Sequence, residues 1–559
     1  MVAATERARP NKMTPTAGLM TESQTLNRPI ERDHLLRPRR LVPLIACAAL
    51  LGYFAVYFKE SLWQPTVDLA WLGAVILWII GWWSVRKSSA PRVAHPYWFY
   101  LLYIAMLVPF ATDWRWAMTG DSAGWASAGL ELAQRGPWKS LLSLRGVAQF
   151  GYGQQALHNV FMVLVKPTMF WHRFGQIMVG ALSLAAIVAA YGRLVHRNFG
   201  LLVGACAMST SVLIVHTMCS YPLVDALAGE SAVLAAALWV RQDPSARNAW
   251  LALGVFTGLL THLTPNSLSM GVCVWLWLGP QALYRRWPMS NLIAAVGCAA
   301  IIALPIVIQF AQGQGEAVIS FNANPDYTTE KVLRFFRESL TIPFYSHNEV
   351  AGAFGPQLPP YFRWLFVVGI LITPIFSRYF PGAGLIAVFF VIHAVLMAFT
   401  QGSYPSVSVK RALVLIPLAT YFVFIPFHRY LRSLPVVLVI IAVWASFGVR
   451  NMLYDVHPGR VGYTLLDGIV EVNQRLSDAP VCVFLPTDAR AAAFAPGSDV
   501  DRLYRMFPHL QRVSDVNDPQ CRDYLCYCPQ ANKVDLAALG YTEIPLLNSV
   551  ELRCGRKQH

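Results

Sequence analysis

Apolar residues along this chain gather into windows of about 17 to 22 positions almost free of charge, as at residues 41–58 and 382–400. That is the length an α-helix needs to cross the hydrocarbon core of a bilayer. Further windows of this kind lie near residues 67–85, 97–112, 173–192, 199–217, 221–240, 249–263, 266–284, 290–311, 361–377, 410–427 and 434–449. The pattern predicts an all-α polytopic membrane protein with about 13 transmembrane helices. The count carries a margin of one or two, because residues 154–168 are also apolar and Pro265 interrupts a long apolar stretch.

The polar stretches divide the chain further. Residues 1–40 are rich in Thr, Arg and Pro and read as a disordered cytoplasmic N-terminus. No small-residue cleavage pattern follows the first window, so it is expected to anchor rather than to be removed. Within the membrane domain, residues 41–450, two loops are too long to be simple connectors, at 113–172 and 312–360. In the first, Trp125, Leu130, Leu132 and Ala133 recur at helical spacing with Glu131 and Gln134 between them, which predicts a helix lying at the membrane surface. In the second, Asn322, Asn324, Pro325 and Asp326 precede an amphipathic run over 331–340. Both loops are placed to cap a cavity at the outer face. The tail, residues 451–559, gains Asp, Arg, Asn and Pro. A helical pattern over 465–476, a β-like run over 481–485 and a later segment ending at 549–553 predict a small α/β extramembrane domain.

Composition agrees with that picture: 55% of residues are hydrophobic, 13% are charged and the mean hydropathy is +0.44. An ordinary soluble chain carries about 25% charged residues. A net charge of +15 and a pI near 9.4 raise the question of nucleic acid. The placement of the basic residues answers it. Arg37, Arg39 and Arg40, then Arg86, Lys87 and Arg92, then Arg193 and Arg197, Arg241 and Arg247, Arg285 and Arg286, and Arg429 and Arg432 stand in short loops between apolar windows. This is the positive-inside pattern of a membrane protein and not a nucleic-acid stripe. One topology satisfies all of them, with a cytoplasmic N-terminus and an extracytoplasmic tail.

The cysteines divide in the same way. Cys47, Cys206, Cys219, Cys273 and Cys298 lie in or beside apolar windows and read as small hydrophobes. Cys482, Cys521, Cys526, Cys528 and Cys554 stand in a domain expected outside the cytoplasm, so one or two disulfides are predicted, with the pairing open and one thiol left over. A zinc site is the rival, although C-x4-C-x-C is not a common structural zinc spacing.

Neither a G-x-x-x-x-G-K-[ST] phosphate loop nor H-E-x-x-H occurs, which argues against an ATP-driven pump. Gly120-Asp121-Ser122-Ala123-Gly124 matches G-x-S-x-G by letter, but a membrane span precedes it where a nucleophile elbow needs a buried strand. The informative residues are therefore ionisable groups at membrane depth or at span ends, where burial is expensive. Asp121 precedes the surface helix and is either its N-cap or a reactive carboxylate. Asp225, with Glu230, opens an otherwise apolar span and is either a partner of the helix dipole or a second carboxylate. Lys410 and Arg411 are either interfacial snorkelling residues or partners of an anion. Trp114, Trp116, Trp125, Trp138, Phe150 and Tyr152 in the first loop form an aromatic belt or a sugar platform.

The order of these features carries a resemblance. A span is followed by Gly120-Asp121, then a surface helix ending Leu130-Glu131-Leu132-Ala133-Gln134-Arg135-Gly136, then a span ending Tyr191-Gly192-Arg193-Leu194. A second acidic segment runs from Tyr221 to Glu230, followed by Gly258-Leu259-Leu260-Thr261-His262-Leu263-Thr264-Pro265 and by Lys410-Arg411-Ala412-Leu413-Val414-Leu415-Ile416-Pro417. Over residues 100–450 this series resembles the GT-C membrane glycosyltransferases, including their protein O-mannosyltransferase and aminoarabinose-transferase branches. The resemblance implies a GT-C-like fold in the bacterial inner (plasma) membrane. It also implies transfer of a sugar from a polyprenyl-phosphate carrier to an acceptor at the outer membrane face. In that role Asp121 is a general base or metal holder, Asp225 a second carboxylate, and Lys410 or Arg411 the partner of the carrier phosphate. Glu230, His262 and Thr264 are supporting candidates. The chain departs from the family pattern at Ser122, where many members carry a second acid, and at Thr264, where lysine is usual. No organic cofactor is implied, and a divalent metal is left open. The expected partners are the polyprenyl-phosphate-linked sugar and membrane lipid, with the acceptor unspecified and no nucleic acid. A multispan transporter or flippase of a lipid-linked or amphipathic solute is the main alternative, although no internal repeat marks two matching halves. An inactive assembly subunit that keeps the fold is a third.

Overall fold

The computed structural model describes residues 96–111, 159–218, 223–263, 267–311, 328–341, 343–344, 358–400, 413–454, 479–484, 509–529, 533–546 and 552–558, with single positions in 126–133 and 469–476 and at 507. The expected spans 41–58 and 67–85 lie outside these residues. The described helices are α1 (Pro96–Leu107), α2 (Met169–Leu194), α3 (Arg197–Met208), α4 (Ser211–Met218), α5 (Leu223–Gln242), α6 (Arg247–Leu260) and α7 (Leu268–Tyr284). They continue with α8 (Met289–Ala311), α9 (Thr329–Thr341), α10 (Arg363–Ile375), α11 (Ala383–Thr400), α12 (Leu415–Phe424) and α13 (Leu434–Tyr454). Every apolar window that falls on described residues is thus helical.

By length and composition α2 and α5 can each cross a membrane, and α1, α8, α10, α11, α12 and α13 carry shorter apolar stretches. Val272, Leu276, Ile293, Leu371 and Val439, on α7, α8, α10 and α13, are each more than half exposed. An apolar surface of that kind suits hydrocarbon rather than water.

The window at 199–217, expected as one span, is two helices: α3 and α4 bend by 59° at Ser209 and Thr210. Both hydroxyls turn back onto helix carbonyls, Ser209 Oγ to Cys206 at 3.1 Å and Thr210 Oγ1 to Ala207 at 2.7 Å, a competition that bends helices. Gly448 of α13 faces the Ser209 carbonyl so closely that a Cβ there would collide with it. A broken helix at membrane depth is tolerated where it is covered by protein in this way. Of residues 154–168, positions 159–164 are helical, with Asn159 and Met162 buried, and 154–158 lie outside the described residues.

The core is built around α2, against which α1, α3, α4 and α5 pack. Small residues set the closest approaches: Gly254 of α6 lies against the Ala295 carbonyl of α8, as is usual where packing replaces hydrophobic driving force. The second loop contributes α9, amphipathic as expected and packed on α11, while Phe344 and Leu358 join the bundle core.

The basic loops converge on one end of the bundle. His196 meets the His428 carbonyl at 2.8 Å and Asn198 Nδ2 donates to the Arg432 carbonyl at 2.6 Å. The Arg193 guanidinium donates to the Ala235 carbonyl at 3.1 Å and lies 5.5 Å from the Trp239 ring, while Arg241 lies 5.0 Å from Trp277.

At the opposite end sits the tail. Its five strands, β1 (Val481–Phe484), β2 (Leu510–Val513), β3 (Tyr524–Tyr527), β4 (Tyr541–Ile544) and β5 (Arg553–Lys557), form one sheet in the order β2-β1-β3-β5-β4. β1 pairs parallel with β2 and β3, whereas β5 pairs antiparallel with β3 and β4. Alternation along the strands separates two cores. Cys482, Leu525 and Tyr527 face one side with Leu536 and Tyr541. Val481, Val483, Tyr524 and Cys526 face the other with Ile469, Val472 and Leu476. Each face holds one disulfide, Cys482–Cys521 and Cys526–Cys554 respectively. Cys528 is the thiol left over, and with four of the five cysteines bridged the zinc reading has no ligand set.

Candidate functional site

The end of the bundle that carries the tail also carries buried ionisable groups. Asp225 stands in the first turn of α5, 1% exposed, where the helix N-terminus favours a carboxylate. Glu230 lies five residues on, equally buried, and among the described residues neither of its carboxylate oxygens has a hydrogen-bond partner. Tyr191 of α2 and Cys273 of α7 are within its electrostatic reach. Five residues turn an α-helix by about 140° and advance it ~7.5 Å. Asp225 and Glu230 therefore point in different directions and do not form a side-by-side acid pair.

His262 follows the end of α6, with one ring nitrogen, Nε2, 2.7 Å from the Ile302 carbonyl of α8. That contact ties α6 to α8. The same turn approaches α5, since a Cβ on Gly229 would meet Leu260 and Leu263. The structure thus brings the His262 turn beside the Gly229–Glu230 segment. Asp121, Thr264, Lys410 and Arg411 lie outside the described residues, as do the first-loop aromatics named above.

Sequence reasoning from acids alone overlooked the cationic and amide groups at the start of α2, the end nearer the tail. Arg173 is 1% exposed and donates to the Ala111 carbonyl, at the end of α1, at 3.2 Å. His172 Nδ1 is 3.2 Å from Asn159 Oδ1. Gln176, a turn further in, is fully buried with neither amide atom hydrogen-bonded among the described residues. Tyr103 of α1 reaches Thr217 of α4 at 2.8 Å. The signal was present in Trp171-His172-Arg173-Phe174-Gly175-Gln176, polar residues at the mouth of an apolar window.

This arrangement gathers α1, α2, α4 and α5 at one end around buried carboxylate, imidazole, guanidinium and amide groups. Such groups can accept a proton, neutralise an anion and hold hydroxyls, the requirements of group transfer at a membrane face. Among the described residues no group of three or more His, Cys, Asp or Glu side chains is placed to hold a metal ion.

No family model matches the chain, and no curated protein matches it by sequence. Among solved structures, the chain aligns with ArnT from Cupriavidus metallidurans in the apo state at 12% identity and a TM-score of 0.47, covering 82% of this chain and 97% of that one. It aligns with the same protein bound to undecaprenyl phosphate at 14% identity and a TM-score of 0.42, covering 83% and 98%. An Archaeoglobus fulgidus oligosaccharyltransferase in complex with zinc and sulfate aligns at 10% identity and a TM-score of 0.31, covering 92% and 73%.

Proposed function

We propose that this chain is a GT-C-type membrane glycosyltransferase that moves a sugar from a polyprenyl-phosphate carrier to an acceptor at the outer face of a bacterial inner membrane. The observation that carries the reading is Asp225. It is a carboxylate buried in the first turn of an apolar helix, at the end of the bundle opposite the basic loops, inside an ordered series of motifs that resembles this family. The basic end is the cytoplasmic one by the positive-inside rule, which puts the tail, the first loop and Asp225 outside.

In the proposed reaction an acceptor hydroxyl or amine attacks the anomeric carbon of the carrier-bound sugar. The new bond to that carbon forms as the carbon–oxygen bond to phosphate breaks, and polyprenyl phosphate leaves with the bonding electrons. Asp121 takes the nucleophile's proton as general base. Asp225 holds sugar or acceptor hydroxyls, and Lys410 and Arg411 offset the charge of the departing phosphate. Glu230 of α5 and His262 of the turn after α6 support that constellation, with Thr264 two residues further along the sequence. The test is to offer the purified protein, in lipid nanodiscs, a panel of polyprenyl-phosphate sugars and to follow release of the carrier. Arg411→Ala should weaken carrier binding more than acceptor binding. Small and equal effects on both would return Arg411 to a snorkelling role.

A second reading rests on the bent α3–α4 pair, since discontinuous helices build substrate sites in secondary transporters. Movement of a lipid-linked solute across proteoliposomes, without release of its sugar, would favour that reading.

A further inference from the structure

The tail does not hang free. The face of its sheet that carries Val481, Val483, Tyr524 and the Cys526–Cys554 bridge shares one apolar core with Ala126 and Leu130 of the first loop and with Met162 and Met169 at the mouth of α2. Ala126 is fully buried and Leu130 is 3% exposed. Ala126 and Leu130 are therefore covered on one side by the tail.

On the bundle side the approach is just as close. A Cβ on Gly129 would run into the Asn159 amide and the Met162 sulfur. The Asn159 side chain cannot swing away cheaply, because it is buried and bonded to His172. His172 is followed by Arg173, which holds the end of α1 through Ala111. Residues 126, 129 and 130 are thus held between the sheet and the 159–164 helix, in a position set by packing on both sides.

We infer that the C-terminal domain is the positioning element of the first outer loop: its inner sheet face holds residues 126, 129 and 130 against the 159–164 helix and the start of α2, and on the glycosyltransferase reading the loop so held serves the outer-face site. Ile469, Val472 and Leu476, members of the same apolar core, act in this as positioning residues. The domain's role is then to hold a loop in place, and it needs no substrate site of its own. The catalytic half of the inference rests on the glycosyltransferase reading, whereas the clamp itself does not.

Hydrogen–deuterium exchange on the full chain in nanodiscs tests the clamp. Ile469→Ala trims the docking face from the tail side, and peptides covering 122–135 should then exchange roughly tenfold faster or more, while α5 and α6 keep their parental rates. Leu130→Ala trims it from the loop side and should, by linkage, loosen β1 and β3. Should Ile469→Ala unfold the tail outright, the same rise over 122–135 is still required. Parental protection of 122–135 with the tail loosened or unfolded would overturn the inference. Where the parent transfers sugar, Ile469→Ala should lower kcat with donor KM unchanged. A loosened loop with parental kcat would overturn the catalytic half alone. A parent that transfers nothing would refute the glycosyltransferase reading and leave the exchange result standing.

Discussion

The two ends of the helical bundle are built from similar residue types and spend them differently. At the end that carries the basic loops, inner on the proposed topology, arginines keep part of their surface open and lean on aromatic faces, as Arg193 does on Trp239 and Arg241 on Trp277, while His196 and Asn198 seal the loops through backbone carbonyls. These contacts are inexpensive because water and headgroups still reach the charges. At the tail end, outer on the proposed topology, Arg173, His172, Gln176 and Asp225 are all buried almost completely. Burial of such groups is costly and contributes little to a fold that could be packed with Leu and Ala. The inner end reads as architecture, and the outer end as the place where chemistry is kept.

The sharpest way to break this comparison is to remove one arginine from each end. Arg173→Ala deletes a buried guanidinium and leaves the Ala111 carbonyl without its donor, which should cost about 3 kcal/mol or more. Arg193→Ala, at the inner end, should cost about 1 kcal/mol. Unfolding midpoints in mixed micelles measure both, and equal losses would erase the distinction between the ends.

Next in size is the tail. Replacing Cys526 and Cys554 together by serine should destabilise the sheet domain by about 2–4 kcal/mol. The loss belongs to the outer end alone, so the inner loops should keep their resistance to proteolysis. Inner-loop cleavage that rises in step with tail unfolding would mean that the ends are not independent.

The smallest effect expected is a pH dependence at the inner end. His196 caps α3, its Nδ1 accepting from the Phe199 amide at 3.2 Å while Nε2–H donates to the His428 carbonyl. Both nitrogens are used as in the neutral ring, and burial, with Arg432 and His428 nearby, holds its pKa below the usual histidine value of 6.5. The unfolded chain then takes up the proton first as pH falls. This contribution is complete above about pH 6.5 and fades below it, by under about 1 kcal/mol, the scale of one helix cap. His196→Asn keeps a capping group without a titrating ring and should flatten that slope; a slope unchanged in the variant would assign it to another group.

How much of this was legible in the sequence depends on range. The apolar windows announced their helices because length and charge depletion are local properties, and the β-like run over 481–485 marked β1 for the same reason, whereas the burial of both its faces was not legible. The break at Ser209 and Thr210 was not legible, since two small hydroxyl residues pass unnoticed in an apolar window until Gly448, far along the chain, is seen against the Ser209 carbonyl. Disulfides were foreseeable from the tail's cysteines and expected compartment, but their pairing depended on strand register, which places Cys526 opposite Cys554. Asp225 was found as an acid where apolar residues prevail. Arg173 was passed over because it reads equally well as an interfacial cation, and only the fold shows it buried under α1. Docking of the tail on residues 126 and 130 joins positions more than three hundred residues apart, which no local pattern records.

The central claim stands or falls on Asp121, and the most direct measurement is the rate of sugar transfer from a polyprenyl-phosphate donor by the parent and by Asp121→Asn. Asn caps helices about as well as Asp, so the variant should express and unfold like the parent. It lacks the charge that accepts a proton, so transfer should fall roughly 10²-fold or more. Near-parental transfer by a well-folded Asp121→Asn protein would contradict the account, reducing Asp121 to a helix cap.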